Sequence, residues 1–154
     1  MATLYLSLGT NLGDRRSNLD TALELIAQRI GTVQAKSEIL ETKPWGFESP
    51  NSFLNMAVKV KTNLGPRQAL LATQGIEKEM GRTQKSVGKI YHDRPIDIDI
   101  LLCDDVVLST RDLTIPHPLM HERMFVMQPL AQIAPNVEHP VLHKTIRQIA
   151  DELE

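Results

Sequence analysis

The chain has 154 residues, 17 basic and 19 acidic side chains, and a formal net charge of −2. This length fits one domain, which we expect to span residues 1–154 without a fused second activity. A nucleic-acid binder would need a basic excess, and no apolar run is long enough to span a membrane. The first ten residues do not resemble a signal peptide, and the lone Cys103 excludes an internal disulfide, so we expect a cytoplasmic protein.

The first part of the chain predicts three strands and one helix. Alternating apolar residues predict a strand at 3–9, and the two glycines of GTNLGD predict a turn after it. Helical spacing predicts a helix at 17–30, with Ser17 and Asp20 resembling a capping box. Further strands are predicted at 32–42 and 53–62, with a loop rich in Pro, Gly and Ser between them.

The second part predicts another helix, a fourth strand and a helical tail. Pro66 suits the first turn of the helix and Gly81 its C-terminal cap, while Gln74 and Glu77 lie away from most of its apolar face. The later predicted elements are a strand at 94–102, a short strand at 106–108, a turn at 114–118, and helical pieces around 120–133 and 143–152. The order of elements predicts a ferredoxin-like βαββαβ sandwich of the α+β class with a C-terminal helical extension.

The stretch DRPIDIDILL places two aspartates in an otherwise apolar strand. Because alternate strand residues share a face, Ile96, Ile98 and Ile100 are predicted to be buried and Asp97 and Asp99 to share the opposite face. The two aspartates would lie roughly 6.6 Å apart along the strand. Two such carboxylates can bind hard cations such as Mg²⁺ together with phosphate oxygens, although the pattern alone fits a solvated strand face equally well.

Basic residues precede this strand, at Arg82, Lys85, Lys89 and Arg94. Carboxylates with a cluster of cations suit a polyphosphate ligand, while the simpler interpretation is a solvated connection. The chain has no Walker A loop and no EF-hand pattern. An ATP site would therefore not use the P-loop.

Several of the six aromatic residues lie beside predicted loops, at Trp45, Phe47, Phe53, Tyr91 and Phe125. This distribution suits a flat ring bound between side chains, with Asn55 on the same strand face as Phe53. Taken alone, it fits core residues at least as well. His117 and His121 have the spacing of a weak zinc motif, and a turn into a surface helix explains them equally well.

Together these segments resemble the 6-hydroxymethyl-7,8-dihydropterin pyrophosphokinase family of folate biosynthesis. The resemblance rests on LGTNLGDR, ETKPWGF, FLNMAV, IEKEMGR, DRPIDIDILL and IPHPLMHERMFVMQPLAQIAP, and covers nearly the whole chain. It implies transfer of the diphosphate of ATP to the pterin hydroxymethyl group, with release of AMP. It also implies that Asp97 and Asp99 bind two Mg²⁺ ions. The expected partners are the small-molecule substrates, and the chain is expected to be a monomer.

The resemblance implies a role for each of the following residues. The pterin positions are Thr42, Lys43, Trp45, Phe53, Asn55 and Phe125. The ATP positions are Gln74, Glu77, Arg82, Tyr91, Arg94, Ile100, Thr114, His117 and Arg123. The residues expected to act in catalysis are Arg82, Arg94, Asp97 and Asp99. Asp97 is the candidate for accepting a proton.

Two other classes fit the residues. A non-catalytic ferredoxin-like binding module would bind ligand without producing AMP. A metal-dependent nucleotide phosphohydrolase would produce AMP without any pterin. An assay of AMP formation with and without the pterin separates the three.

Overall fold

The computed structural model describes residues 1–43, 52–81 and 95–154, in which helices pack on an antiparallel sheet. The strands are β1 (Ala2–Thr10), β2 (Gly31–Lys36), β3 (Leu40–Thr42), β4 (Phe53–Thr62), β5 (Asp97–Cys103), β6 (Leu108–Ser109) and β7 (Thr114–Ile115). The helices are α1 (Arg15–Arg29), α2 (Pro66–Glu79), α3 (Met124–Ile133) and α4 (Ile146–Leu153), with a 3-10 turn at Met120–Glu122.

The main sheet has the order β2-β4-β1-β5, and β3 also pairs with β4. Every pair in it is antiparallel, so β1 and β2 run parallel to each other on either side of β4. Helix α1 connects these two strands. The short strands β6 and β7 form a separate antiparallel pair beyond the end of β5.

The sheet is covered on both faces by apolar side chains. One core cluster joins α1 and α2 to the sheet through residues that include Leu6, Leu8, Ile26, Ile76, Ile98 and Ile100. The second joins α3 and α4 to the other face through residues that include Tyr5, Ala57, Leu102, Met127 and Ile149. The alternation of each strand divides its residues between these two clusters.

The start of α1 and the end of β1 differ from the prediction. The N-cap of α1 is Asp14, whose side chain accepts the Ser17 amide, so the predicted pairing of Ser17 with Asp20 is wrong. Strand β1 continues to Thr10, because Gly9 pairs with Asn55 on one side and Asp97 on the other. Gly9, which the prediction placed both at the end of the strand and in the following turn, therefore belongs to the sheet.

The predicted strand at 32–42 is two strands, β2 and β3. Between them, the Ser37 amide donates to the Ala57 carbonyl, and the Ser37 hydroxyl accepts the Ala57 N–H at 2.9 Å. A side chain thus takes the place of a strand carbonyl, and regular pairing stops there.

Most other predicted elements correspond more closely, although β6 shares only Leu108 with the predicted strand at 106–108 and β7 lies within the predicted turn at 114–118. Helix α2 begins at Pro66, and Gly81 follows it with φ +100°, a conformation that favours glycine. Cys103 is buried at the end of β5, as expected. Within the described ranges, no helix has the length and apolar character needed to cross a lipid bilayer.

Candidate active site

The two aspartates of β5 lie on the sheet face that carries α3 and α4. Both are partly buried and alternate with the buried Ile98 and Ile100, which confirms the predicted alternation. Asp99 is opposite Ser7 and Asp97 is opposite Gly9 on β1. Residues opposite each other in an antiparallel pair share a face, so the aspartates lie on the same face as the core residue Tyr5.

A row of residues crosses four strands at the level of Asp97. Its members, in order from β3 to β5, are Leu40, Asn55, Gly9 and Asp97. With usual strand spacing, the backbones at Asn55 and Asp97 are roughly 10 Å apart. Because Gly9 has no side chain, no side chain of β1 stands between the Asn55 amide and the Asp97 carboxylate in this row.

The sequence analysis did not identify Gly9 as part of the site. A Cβ atom at this position would lie 3.5 Å from Asn55 Oδ1 and 3.7 Å from Phe53 Cδ1, which are ordinary contact distances. The fold itself therefore tolerates alanine there. The only signal in the sequence was a glycine just after an alternating segment, and that pattern also predicts a turn.

Asn55 is held in one orientation by residues of β3. Its Nδ2 donates to Thr42 Oγ1 at 2.8 Å and to the Leu40 carbonyl at 3.3 Å. With both donors directed to β3, Oδ1 is the atom of the amide near Gly9. Asn55 is buried, and Thr42 pairs with Phe53, so the structure brings three predicted pterin residues together.

Glu77 differs from its predicted exposure on α2. It is buried, and its Oε2 accepts the Ile98 N–H at 2.8 Å. The carboxylate thus binds the backbone between the two aspartates. Gln74, one turn earlier on the same helix, is exposed as predicted.

His117 is a neutral hydrogen-bond donor near the aspartates. Burial lowers its pKa from 6.5 to about 4, with a further lowering by the positive charge of Arg123 and an opposing effect of Asp97. Its Nδ1 accepts the Leu119 N–H at 3.2 Å, which leaves the ring proton on Nε2. These effects place Arg123, Asp97 and His117 within electrostatic range of one another.

Arg123 and Phe125 are adjacent at the start of α3. The Arg123 guanidinium carbon lies 5.6 Å from the centre of the Phe125 ring, within cation–π range. Thr114, also predicted on the ATP side, lies on β7, and the His117 amide just beyond this strand donates to the Leu101 carbonyl of β5. A cationic and aromatic group thus adjoins the aspartate strand.

Ile100 can meet a ligand only through its backbone, because its side chain is buried among the core residues facing α1 and α2. The Ile98 amide points away from β1, toward Glu77. By the two-residue alternation, the backbone N–H and C=O of Ile100 point to the same outer edge. Lys43 is exposed at the end of β3.

Four predicted site residues, Trp45, Arg82, Tyr91 and Arg94, lie outside the described residues, as do Phe47, Lys85 and Lys89.

His121 makes an edge-to-face contact with His139, the ring centres being 6.2 Å apart. In the described ranges, no three His, Cys, Asp or Glu residues are grouped so that they could bind a metal. The weak zinc motif is thus unsupported there.

A shallow groove of about 420 Å³ lies between α1 and β2, and its apolar lining includes Leu23, Ala27 and Val33. It is on the sheet face opposite the aspartates. None of the predicted site residues lines it.

Comparison with known proteins identifies the family to which the chain belongs. A family model described as 7,8-dihydro-6-hydroxymethylpterin-pyrophosphokinase (HPPK) matches residues 5–135. The chain belongs to this family. Its role as an ATP-dependent pterin pyrophosphokinase of folate biosynthesis, predicted from the sequence, is confirmed, and the two alternative classes are not favoured.

Two curated relatives are named as enzymes of this family. A 2-amino-4-hydroxy-6-hydroxymethyldihydropteridine pyrophosphokinase of Porphyromonas gingivalis is 53% identical over 136 residues, covering 88% of this chain and 92% of the relative. The enzyme of that name from Aquifex aeolicus is 41% identical over 152 residues, covering 99% and 92%. Both relatives are therefore matched over nearly their whole length.

Solved structures support the fold. The chain aligns with Plasmodium falciparum HPPK-DHPS, solved with pteroate, at a TM-score of 0.83 and 18% identity, covering 98% of this chain and 44% of that one. An HPPK-DHPS structure in complex with substrates gives a TM-score of 0.79 at 17% identity, covering 98% and 43%. This chain spans less than half the length of those chains.

Proposed function

We propose that Asp97 and Asp99 bind two Mg²⁺ ions that hold the ATP phosphates against the pterin hydroxymethyl group. The observation that carries this proposal is the pair of partly buried carboxylates on one sheet face, in the row that contains Asn55 and Gly9. Carboxylate oxygens are the donors that Mg²⁺ prefers. Binding through one or two carboxylates, with phosphate oxygens and water as the other ligands, is common for this ion.

The reaction breaks the bond between the α- and β-phosphates of ATP and forms a bond from the β-phosphorus to the pterin hydroxymethyl oxygen. AMP leaves, and the hydroxyl proton must be accepted. When bound, Mg²⁺ supplies neutralisation of phosphate charge and a lowered pKa of the attacking hydroxyl. Asp97 is our candidate for accepting that proton, since it lies in the row with the pterin residue Asn55.

The pterin is proposed to lie over Gly9, with its ring between Phe53 and Phe125. Because Asn55 Nδ2 is engaged by Thr42 and Leu40, its Oδ1 is oriented to accept an N–H of the heterocycle. This fixed amide selects a ligand edge with a donor at that point. Lys43 and Trp45 are proposed to complete the pterin site on the strength of the family resemblance.

The nucleotide is proposed to bind along the outer edge of β5 and across the start of α3. His117 Nε2–H offers a neutral donor, and Arg123 a permanent positive charge, for the phosphates. The backbone of Ile100 offers one donor and one acceptor at the strand edge, which suit an adenine ring. Gln74, Glu77, Tyr91 and Thr114 are proposed as further ATP-side residues, and Arg82 and Arg94 as stabilisers of the transferred group.

The fold, assembly and location follow as finer proposals. A ferredoxin-like α+β sandwich is supported by the antiparallel order in which β4 separates β1 from β2, with α3 and α4 as the C-terminal extension. We propose a monomer, since the proposed ligands of both substrates come from one chain. A cytoplasmic location is in keeping with the buried free thiol of Cys103.

The test is an assay of AMP formation from ATP and Mg²⁺, with and without the hydroxymethyl pterin. We expect AMP only when the pterin is present, and one pterin diphosphate for each AMP. AMP formed at equal rates without the pterin would indicate a phosphohydrolase. Pterin binding without AMP would indicate a binding module.

A further inference from the structure

The stability of helix α2 does not explain why residue 77 is a glutamate. It lies in the last turn of α2, where the negative end of the helix dipole disfavours a carboxylate. It is also buried, which disfavours a charged side chain without a partner. A residue that opposes two local preferences indicates a function, and the Glu77 carboxylate accepts the Ile98 N–H at 2.8 Å.

We propose that Glu77 is a positioning residue that fixes the backbone between Asp97 and Asp99. The inference rests on the proposed function, in which both aspartates are metal ligands. Because a metal site needs its ligands held within about 0.5 Å, the strand segment that carries them must be rigid. The hydrogen bond from Ile98 supplies that rigidity from the side on which β5 has no neighbouring strand of the main sheet among the described residues.

The geometry of β5 gives the physical reason. In the part of the chain that the structure describes, β5 is the last strand of the order β2-β4-β1-β5, and one of its edges has no strand partner in that sheet. Alternation directs the backbone groups of Asp97 and Asp99 toward β1, and those of Ile98 toward the outer edge. The Glu77 carboxylate therefore accepts the hydrogen bond that the carbonyl of a further strand would otherwise accept.

A second hydrogen bond fixes the outer edge of β5, at a residue beyond the two aspartates. The His117 amide donates to the Leu101 carbonyl at 3.0 Å, next to the bulge where Leu101 has no opposite residue on β1. The aspartate segment is thus fixed by β1 along one edge and by Glu77 and His117 along the other. The contact of Glu77 lies between the two carboxylates, where it acts on both.

Two conservative variants separate position from charge. Glu77→Gln keeps an oxygen at the same reach but removes the charge, whereas Glu77→Asp keeps the charge on a side chain shorter by one methylene. We expect Glu77→Gln to keep the Ile98 exchange rate and the Mg²⁺ dependence of the wild type, and Glu77→Asp to lose both. The matched controls are Glu79→Gln and Glu79→Asp, since Glu79 is exposed on the same helix and pairs with Arg29.

The first readout needs neither metal nor substrate. It is hydrogen exchange of the Ile98 amide in the metal-free protein, which we expect to be faster by about tenfold or more in Glu77→Asp and within about threefold of wild type in Glu77→Gln. The second is the Mg²⁺ concentration for half-maximal activity, which we expect to rise by about tenfold or more only in Glu77→Asp. Pterin affinity without metal should not change.

Three outcomes would overturn the proposal: Glu77→Gln failing as Glu77→Asp does, Glu77→Gln failing alone, or both variants matching the wild type. If Glu77→Asp does not fold, Glu77→Ala takes its place, and equal Ile98 exchange in Glu77→Ala and Glu77→Gln overturns the proposal. Asp97→Asn, assayed in parallel, tests the metal assignment separately from the proposed role of Glu77. If that variant is active, the metal assignment is wrong, whatever Glu77 does.

Discussion

The two faces of the central sheet differ although they come from the same strands. Toward α1 and α2, the strands present mainly apolar residues, such as Leu6 on β1 and Ile98 on β5. Toward α3 and α4, the same strands carry apolar residues such as Tyr5 and Leu102 and, at the end of the sheet that contains Asp97, polar residues such as Asn55. The first face is packed as core, and the second also carries the residues of the proposed site.

The difference shows how a small domain can separate stability from chemistry. Period-two alternation lets one strand supply a complete core on one face and reactive groups on the other. The helices α3 and α4 then cover only part of the second face. Replacing residues on the two faces should therefore damage different properties.

The largest effect is expected at the polar end. Asp97→Asn and Asp99→Asn should each lower kcat by about a thousandfold or more, because a neutral amide cannot offset the charge of the cations and phosphates. Steady-state kinetics at saturating Mg²⁺ would measure this loss, with circular dichroism to confirm the fold. Asp105→Asn, at an exposed aspartate just after β5, is the matched control. Near-normal rates in either variant would refute the metal assignment.

A change on the apolar face should act on stability. Leu6→Ala should lower the free energy of unfolding by about 2–5 kcal/mol, because Leu6 is fully buried and its removal leaves a cavity. Urea denaturation measures the loss. The rate per folded molecule should be nearly that of the wild type. If kcat fell as far as it does in the aspartate variants, the two faces would not be functionally separate.

Gly9 lies on the open part of the ligand face and tests its shape. Gly9→Ala should weaken pterin binding by about tenfold, or roughly 1.4 kcal/mol, since a methyl group would stand between Asn55 and Asp97. Titration calorimetry should show ATP affinity much less changed. Gly75→Ala, where no neighbouring atom lies within 4 Å of the added Cβ, is the control. Unchanged pterin affinity in Gly9→Ala would place the ring elsewhere.

The smallest effect near neutral pH is expected from His117, as a dependence of stability on pH. Its pKa is 6.5 when unfolded and about 4 when folded, so below pH 6.5 the unfolded chain binds a proton that the folded chain does not. Stability should therefore fall as the pH drops from 6.5 to about 4 and level off below that. The loss should be on the order of 1 kcal/mol at pH 5.5.

The measurement is urea denaturation of the wild type and His117→Gln between pH 7 and 4. The difference in unfolding free energy between the two proteins should change across this window. A constant difference would show that His117 titrates alike in both states. His139 should act in the same direction, because burial, followed by the charges of His121 and His143, lowers its pKa.

Local patterns in the sequence were sufficient for much of the fold. The alternation around Asp97 and Asp99 predicted their shared face, and Pro66 and Gly81 predicted the bounds of α2 closely. Such features depend on residues a few positions apart, so a short window contains the information. The helical spacing of 17–30 likewise found α1, although its cap lay three residues earlier than predicted, at Asp14.

Only the tertiary structure placed Gly9 between Asn55 and Asp97 and brought the carboxylate of Glu77 to the Ile98 amide. Both arrangements depend on the register between strands and on which strand lies at the sheet edge. These properties are set by contacts between residues far apart in the chain. The sequence by itself determined which residues could react, and the packing of the sheet determined which of them meet.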